Sequence, residues 1–133
     1  MLTELAILPI PSKYTATTIT VEEALKLIND GKTTEAMVYT EGVICSEPKV
    51  NLQYGDAEFY ISVDGKGMNA DGTGDPANTI KVYRNHYLNN EKYTEANKDL
   101  IKKGQKVVIC GKLLLFQGTT PEIDKENYIV SIN

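Results

Sequence analysis

The sequence predicts an all-β fold, a small barrel of five strands with two short helices added, and three observations predict it. Apolar and polar residues alternate in runs such as 57–63 and 79–84, the period at which a strand shows one face to a core. Glycines stand inside the first and fourth of these runs, at Gly42 and Gly111, where closing a small barrel demands a bend. Helical spacing is confined to segments 20–31 and 94–103.

Residues 1–19, with Pro9, Pro11 and a threonine-rich run, read as an extended N-terminal arm. Thr20-Val21-Glu22-Glu23 is a capping box, and Val21, Ala24, Leu25 and Ile28 follow on one helical face up to the stop at Gly31. AMVYTEGVICS (36–46) is the first strand, and SEPKVNLQYGD (46–56) is a polar loop. In AEFYISV (57–63), Ala57, Phe59, Ile61 and Val63 share the inner face, leaving Glu58, Tyr60 and Ser62 outside. DGKGMNADGTGDPAN (64–78) is a long turn region. TIKVYR (79–84) turns Ile80 and Val82 inward and Lys81 and Tyr83 outward. TEANKDLIKK (94–103) is a helix ending at Gly104, and QKVVICGKLLLF (105–116) is the longest strand. Gly118 and Pro121 mark a turn before the final segments, PEID and NYIVSIN.

The order strand, strand, strand, helix, strand, strand is that of an OB-fold, a five-stranded Greek-key barrel with a helix between strands three and four. An SH3-like barrel lacks that helix, and an immunoglobulin-like sandwich needs about seven strands. The expected organisation is an arm over 1–19 and one OB-fold domain over 20–133, the added N-terminal helix 20–31 included.

Composition bounds the partners. The 133 residues are 41 % hydrophobic and 24 % charged, the balance of a folded domain. The net charge of −4 weighs against strong non-specific affinity for a polyanion, because phosphate neutralisation supplies most of that affinity. Cys45 and Cys110 sit in apolar runs and read as buried thiols; a disulfide between them requires neighbouring strands. No stretch approaches the ~18 apolar residues of a membrane span. MLTELAILPIP has no Lys or Arg before its short apolar run and no small-residue cleavage site, so it makes a poor signal peptide. The chain is then either cytoplasmic or past a removed leader.

The segments VEEALKLINDGK, VYTEGVICS, AEFYISVDG, VYRNHYLN, IKKGQKVVICGKLLLFQGTTPEI and NYIVSIN together resemble the OB-fold domains of secreted and surface-lipoprotein proteins of gut bacteria. That group is associated with nucleic-acid binding or has no assigned function. The resemblance spans residues 20–133 and implies an OB-fold, a binding role and an extracytoplasmic location. It departs after Val82-Tyr83-Arg84, where the family carries glycine and an aromatic and this chain has Asn85-His86.

OB-folds bind across strands two and three and the loops beside them. Single-strand recognition needs aromatic platforms with cations nearby. The outer sides of AEFYISV and TIKVYR supply Tyr60, Lys81 and Tyr83, with Arg84 at the strand end and Tyr39 of the first strand as a further member. Tyrosine-rich faces serve protein and glycan ligands equally well. The expected function is thus a non-enzymatic binding module, for single-stranded nucleic acid or, alternatively, for protein or carbohydrate. No cofactor is implied. His86 is the only histidine and no carboxylate pair looks placed for acid–base work, so His86 reads as a turn residue. Asp64, Asn69, Asp71, Asp75 and Asn78 are hard oxygens suited to calcium, but Ile80 stands where an EF-hand needs its bidentate Glu. The same residue types are ordinary turn formers.

Overall fold

The computed structural model describes residues 17–31 and 36–133. It is an all-β, barrel-like fold with one α-helix among the described residues. In chain order the elements are β1 (Thr18–Thr20), α1 (Val21–Asn29), β2 (Val38–Ile44), β3 (Lys49–Asn51), β4 (Asp56–Ser62), β5 (Thr79–Asn85), β6 (Lys106–Gly111), β7 (Leu113–Phe116), β8 (Thr120–Ile123) and β9 (Tyr128–Ile132). Residues 1–16 of the expected arm lie outside the described residues; the arm's last residues form β1, parallel to β2.

Helix α1 begins as its sequence dictates. The Thr20 amide donates to Glu23 Oε1 at 2.9 Å, and the Glu23 amide donates to Thr20 Oγ1 at 3.1 Å. Its apolar face, Val21, Ala24, Leu25 and Ile28, is buried in the same core as Ile44, Phe59, Ile61, Ile80 and Val82.

The sheet runs β7-β8-β5-β4-β2-β6-β9, with β1 added beside β2 and β3 beside β4. Lys112 alone separates β6 from β7, so these are two halves of the expected fourth strand, bent back after Gly111. Segments β8 and β9 are likewise halves of the fifth, both running parallel to β5: Lys81 pairs with Glu122, and a bridge joins His86 to Tyr128. With β2, β4 and β5 as the first three strands, the path is the OB-fold order, in a curled sheet that is not closed.

The two mid-strand glycines have packing reasons. A Cβ on Gly42 would stand 2.6 Å from Val21 Cγ2, so glycine lets α1 sit against β2. At Gly111 a Cβ would stand 2.4 Å from Ile123 Cγ2 and 2.6 Å from Asn127 Cβ, where the fourth strand folds over the fifth.

Two expectations need correction. Residues 94–103 are turns, not a helix. Asn97 Oδ1 accepts from the Thr94 amide at 2.7 Å, while Gln105 accepts from the Lys102 amide at 2.6 Å and donates to the Leu100 carbonyl at 3.0 Å. These local side-chain bonds capture backbone groups that a helix would use. Val63 is 59 % exposed rather than inward, because β4 ends at Ser62.

Candidate functional site

The outer face of β4, β5 and β8 carries a row set by register. Tyr60 lies opposite Lys81, and Lys81 lies opposite Glu122. Lys81 Nζ is 3.8 Å from Glu58 Oε1 and 5.8 Å from the centre of the Tyr83 ring. Glu122 is 3 % exposed, and burial, the largest cause, pushes its pKa up to about 7; Lys81 opposes that rise, while Asp124 and Glu58 add to it.

Beyond this row β5 contains a bulge. Ala57 pairs with Asn85 and Phe59 with Val82, so β4 spends two steps where β5 spends three. The extra residue is taken up at Tyr83-Arg84, and Arg84 adopts φ 49°, a left-handed conformation costing a non-glycine residue ~1 kcal/mol or more. The bulge brings the Arg84 guanidinium over two rings, 5.4 Å from the centre of Tyr83 and 5.8 Å from that of Tyr54. Both distances are within cation–π range.

Tyr54 is held by the β3–β4 turn. The Asn51 side-chain oxygen accepts from the Gln53 and Tyr54 amides, and the Gly55 amide donates to the Asn51 carbonyl at 2.7 Å. Gly55 has φ +75°, and its carbonyl accepts from the Tyr93 amide at 2.8 Å. The turn therefore rests on the body of the domain and displays Tyr54, which is 56 % exposed. Two adjoining clefts share Lys49 and Glu58: one reaches Tyr54 and Arg84, the other Tyr60, Thr73 and Lys81.

Behind the bulge lies a buried polar lock. Asn85 Oδ1 accepts from the Tyr93 hydroxyl at 2.6 Å, and Asn85 Nδ2 donates to Asn127 Oδ1 at 2.8 Å. Asn127 Nδ2 donates at 2.7 Å to the Tyr83 and Asp124 carbonyls. Burial raises the Tyr93 pKa far above its ordinary value, so the hydroxyl stays a donor. Since Asn127 holds the carbonyl of Tyr83 itself, the lock fixes the backbone from which Tyr83 and Arg84 project.

The structure thus gathers Lys81, Tyr83 and Arg84, with Tyr60 on the same face. Tyr60 has the 64–78 loop against one edge of its ring, where a Cβ on Gly74 would stand 2.5 Å away, and it remains half-buried beside the second cleft. Tyr39 is not part of the group. It pairs with Cys110 on β6, five residues along β2 from the Ile44 that meets Ile61, or about 16 Å of strand. Sequence reasoning missed Tyr54 and Lys49, which fell in a segment read as a polar loop. The signal available was NLQYGD itself, an Asn-to-Gly turn that carries an aromatic at its tip.

The remaining candidates have structural roles. Asp64 Oδ1 accepts from the Lys66 amide, Asp71 Oδ1 from the Thr73 amide and hydroxyl, and Asp75 from the Ala77 amide and the Asn78 side chain. Asn69 donates to the Thr73 hydroxyl. These oxygens cap turns of their own loop, and among the described residues no three His, Cys, Asp or Glu side chains gather to hold a metal. His86 Nδ1 lies 3.0 Å from Asn90 Oδ1, and the His86 backbone bonds both Asn127 and Ile129. Cys45 and Cys110 are buried and not joined to each other; burial pushes the Cys45 thiol up, which keeps it protonated. Among the described residues no helix is long and apolar enough to cross a membrane.

No protein-family model matches the chain, and no curated protein matches it by sequence. Among solved structures, the chain is similar to a small single-stranded DNA-binding protein from Streptomyces coelicolor. The TM-score is 0.43 at 19 % identity, over 75 % of this chain and 92 % of that one.

Proposed function

We propose that this domain binds single-stranded nucleic acid on the outer face of β4 and β5. The observation that carries the reading is the Tyr54–Arg84–Tyr83 group: two rings and a guanidinium, gathered at a bulge where the exposed Arg84 is strained in backbone. Backbone strain retained at an exposed position calls for a functional explanation. Aromatic platforms stack on bases of any sequence, and arginine adds both cation–π contact and a phosphate partner. Lys49 and Lys81 extend the positive character along the adjoining clefts.

The test is fluorescence anisotropy with labelled single-stranded DNA and RNA, from low to physiological salt. Tyr83→Ala and Tyr54→Ala should each weaken binding by ~1–3 kcal/mol, the worth of one stacked base. Arg84→Ala should also lower the slope of affinity against salt by about one unit. Flat anisotropy at high protein concentration and low salt sinks the reading.

A second reading rests on a different observation. Glu47, Glu58 and Asp71 line the same cleft as Lys49 and Lys81 and repel phosphate. Such mixed charge beside exposed tyrosine suits a protein or carbohydrate ligand. Binding to a glycan or peptide array without salt-dependent affinity for nucleic acid would favour it.

A further inference from the structure

We propose that binding of a polyanionic strand on this face is coupled to uptake of one proton by Glu122. The inference rests on the nucleic-acid reading and concerns how that same site is regulated. Its basis is the arrangement of three charges. Lys81 stands between two carboxylates, Glu58 of β4 at 3.8 Å and Glu122, its register partner on β8. A phosphate approaching Lys81 competes with both.

The two carboxylates differ in how they can yield. Glu58 is half-exposed and can swing its charge into solvent. Glu122 is 3 % exposed and has nowhere to go. The groups facing it from neighbouring elements are Lys81 of β5, Glu58 of β4 and Asp124 just past its own strand; β7 opposes it with Leu114, which carries no charge. Two of those three charged groups are negative, and burial already brings its pKa to about 7. A phosphate added beside Lys81 cancels the one contact that favours the ionised form. The carboxylate then takes a proton from solvent and becomes the neutral acid, and no other species is consumed. Because linkage is reciprocal, whatever favours protonation on binding makes lower pH favour binding.

The experiment measures the affinity of a rhodamine-labelled oligodeoxythymidine, whose bases keep their charge near neutrality, as the pH falls from alkaline to mildly acidic. Wild-type affinity should rise through neutrality, by at most about tenfold per pH unit for one proton. Glu122→Gln should bind at alkaline pH as tightly as wild type does at acidic pH, with no pH slope. His86→Asn is the control for the only histidine and should keep the wild-type slope. Calorimetric titration of wild-type protein in two buffers of different ionisation enthalpy reads proton uptake without any variant, should Glu122→Gln fail to fold. Salt-sensitive binding with no pH slope and no proton uptake overturns the coupling and leaves the nucleic-acid reading intact. A slope that disappears with His86 also overturns the coupling. Absence of binding at every pH in low salt overturns both.

Discussion

Arg84 and Asn85 are neighbours on one strand and do opposite things. Asn85 is fully buried, and its amide meets Tyr93 on one side and Asn127 on the other. Arg84 is exposed, strained in backbone and placed over two rings. The inner residue makes the fold specific, and the outer residue uses the rigidity so created. Local strain persists only where the surroundings over-determine it. Here the over-determining contact is visible: the Asn127 side chain grips the Tyr83 carbonyl one peptide before the strained residue.

The largest expected effect comes from breaking the inner half. Asn85→Ala leaves the Tyr93 hydroxyl and the Asn127 amide oxygen buried without their partner. An unsatisfied buried group costs ~1–3 kcal/mol, so the double loss should lower stability by roughly 3 kcal/mol. Urea denaturation reads it. Tyr93→Phe removes only the donor to Asn85 and should cost less. If Asn85→Ala costs no more than a surface substitution, the lock is not what holds this corner.

Glu122 tests the outer half at a place where pH can be the variable. Its native pKa of about 7 lies above the ordinary value of 4.5, so the native state holds a proton more tightly than the unfolded chain does. The associated stability is present in full below 4.5 and is lost as the pH rises through about 7. The loss at alkaline pH is at most roughly 3 kcal/mol, since each tenfold change in proton affinity is worth about 1.36 kcal/mol. Glu122→Gln mimics the protonated side chain. It should match wild type in urea melts below pH 4.5, pull ahead of it as the pH rises, and exceed it by the full amount above about pH 7. An equal difference at both ends would mean that packing, not charge, distinguishes the variant.

How much of this was legible in the sequence follows the physical scale of each feature. The capping box at Thr20, the inward set Ala57, Phe59, Ile61, Ile80 and Val82, and the bends at Gly42 and Gly111 are local rules of periodicity and steric room. They can be read from neighbours in sequence. The turns at 94–103 were not, because helical spacing there competes with the side chains of Asn97 and Gln105, and only the fold decides that contest. The bulge at Arg84 depends on the register between β4 and β5, and one slipped residue reverses which side chains face out. Nothing within VYRNHYLNN announces it. Glu122 was invisible for a similar reason: PEID reads only as a final strand segment, and its burial comes from β5 and β7 closing on both sides of it.

Arg84→Gly separates strain from function. Glycine adopts the left-handed conformation without the Cβ penalty, so the native state is relieved of ~1 kcal/mol, less some gain in unfolded-state freedom. The same change deletes the guanidinium between Tyr54 and Tyr83. The expected outcome is a protein at least as stable in urea and markedly weaker on single strands. Reduced stability would mean that the arginine is kept for its contacts with the two rings rather than for a ligand.

The smallest expected effect asks whether satisfaction, rather than polarity, is what makes the Asn85 lock stabilising. Thr40 supplies the counter-case. It is equally buried, in the middle of β2 between Ile19 of β1 and Ile109 of β6, yet its hydroxyl has no hydrogen-bond partner among the described residues. A buried hydroxyl without a partner keeps its desolvation cost and gains nothing in return. Valine has nearly the same shape and the same β-branched preference for a strand. Thr40→Val should therefore leave the fold unchanged and raise stability by about 0.5 kcal/mol. Asn85→Leu, also roughly isosteric, should do the reverse, because it strips partners from groups that remain buried. If Thr40→Val destabilises instead, the hydroxyl has a partner, and the contrast between the two buried polar sites is one of strength rather than kind.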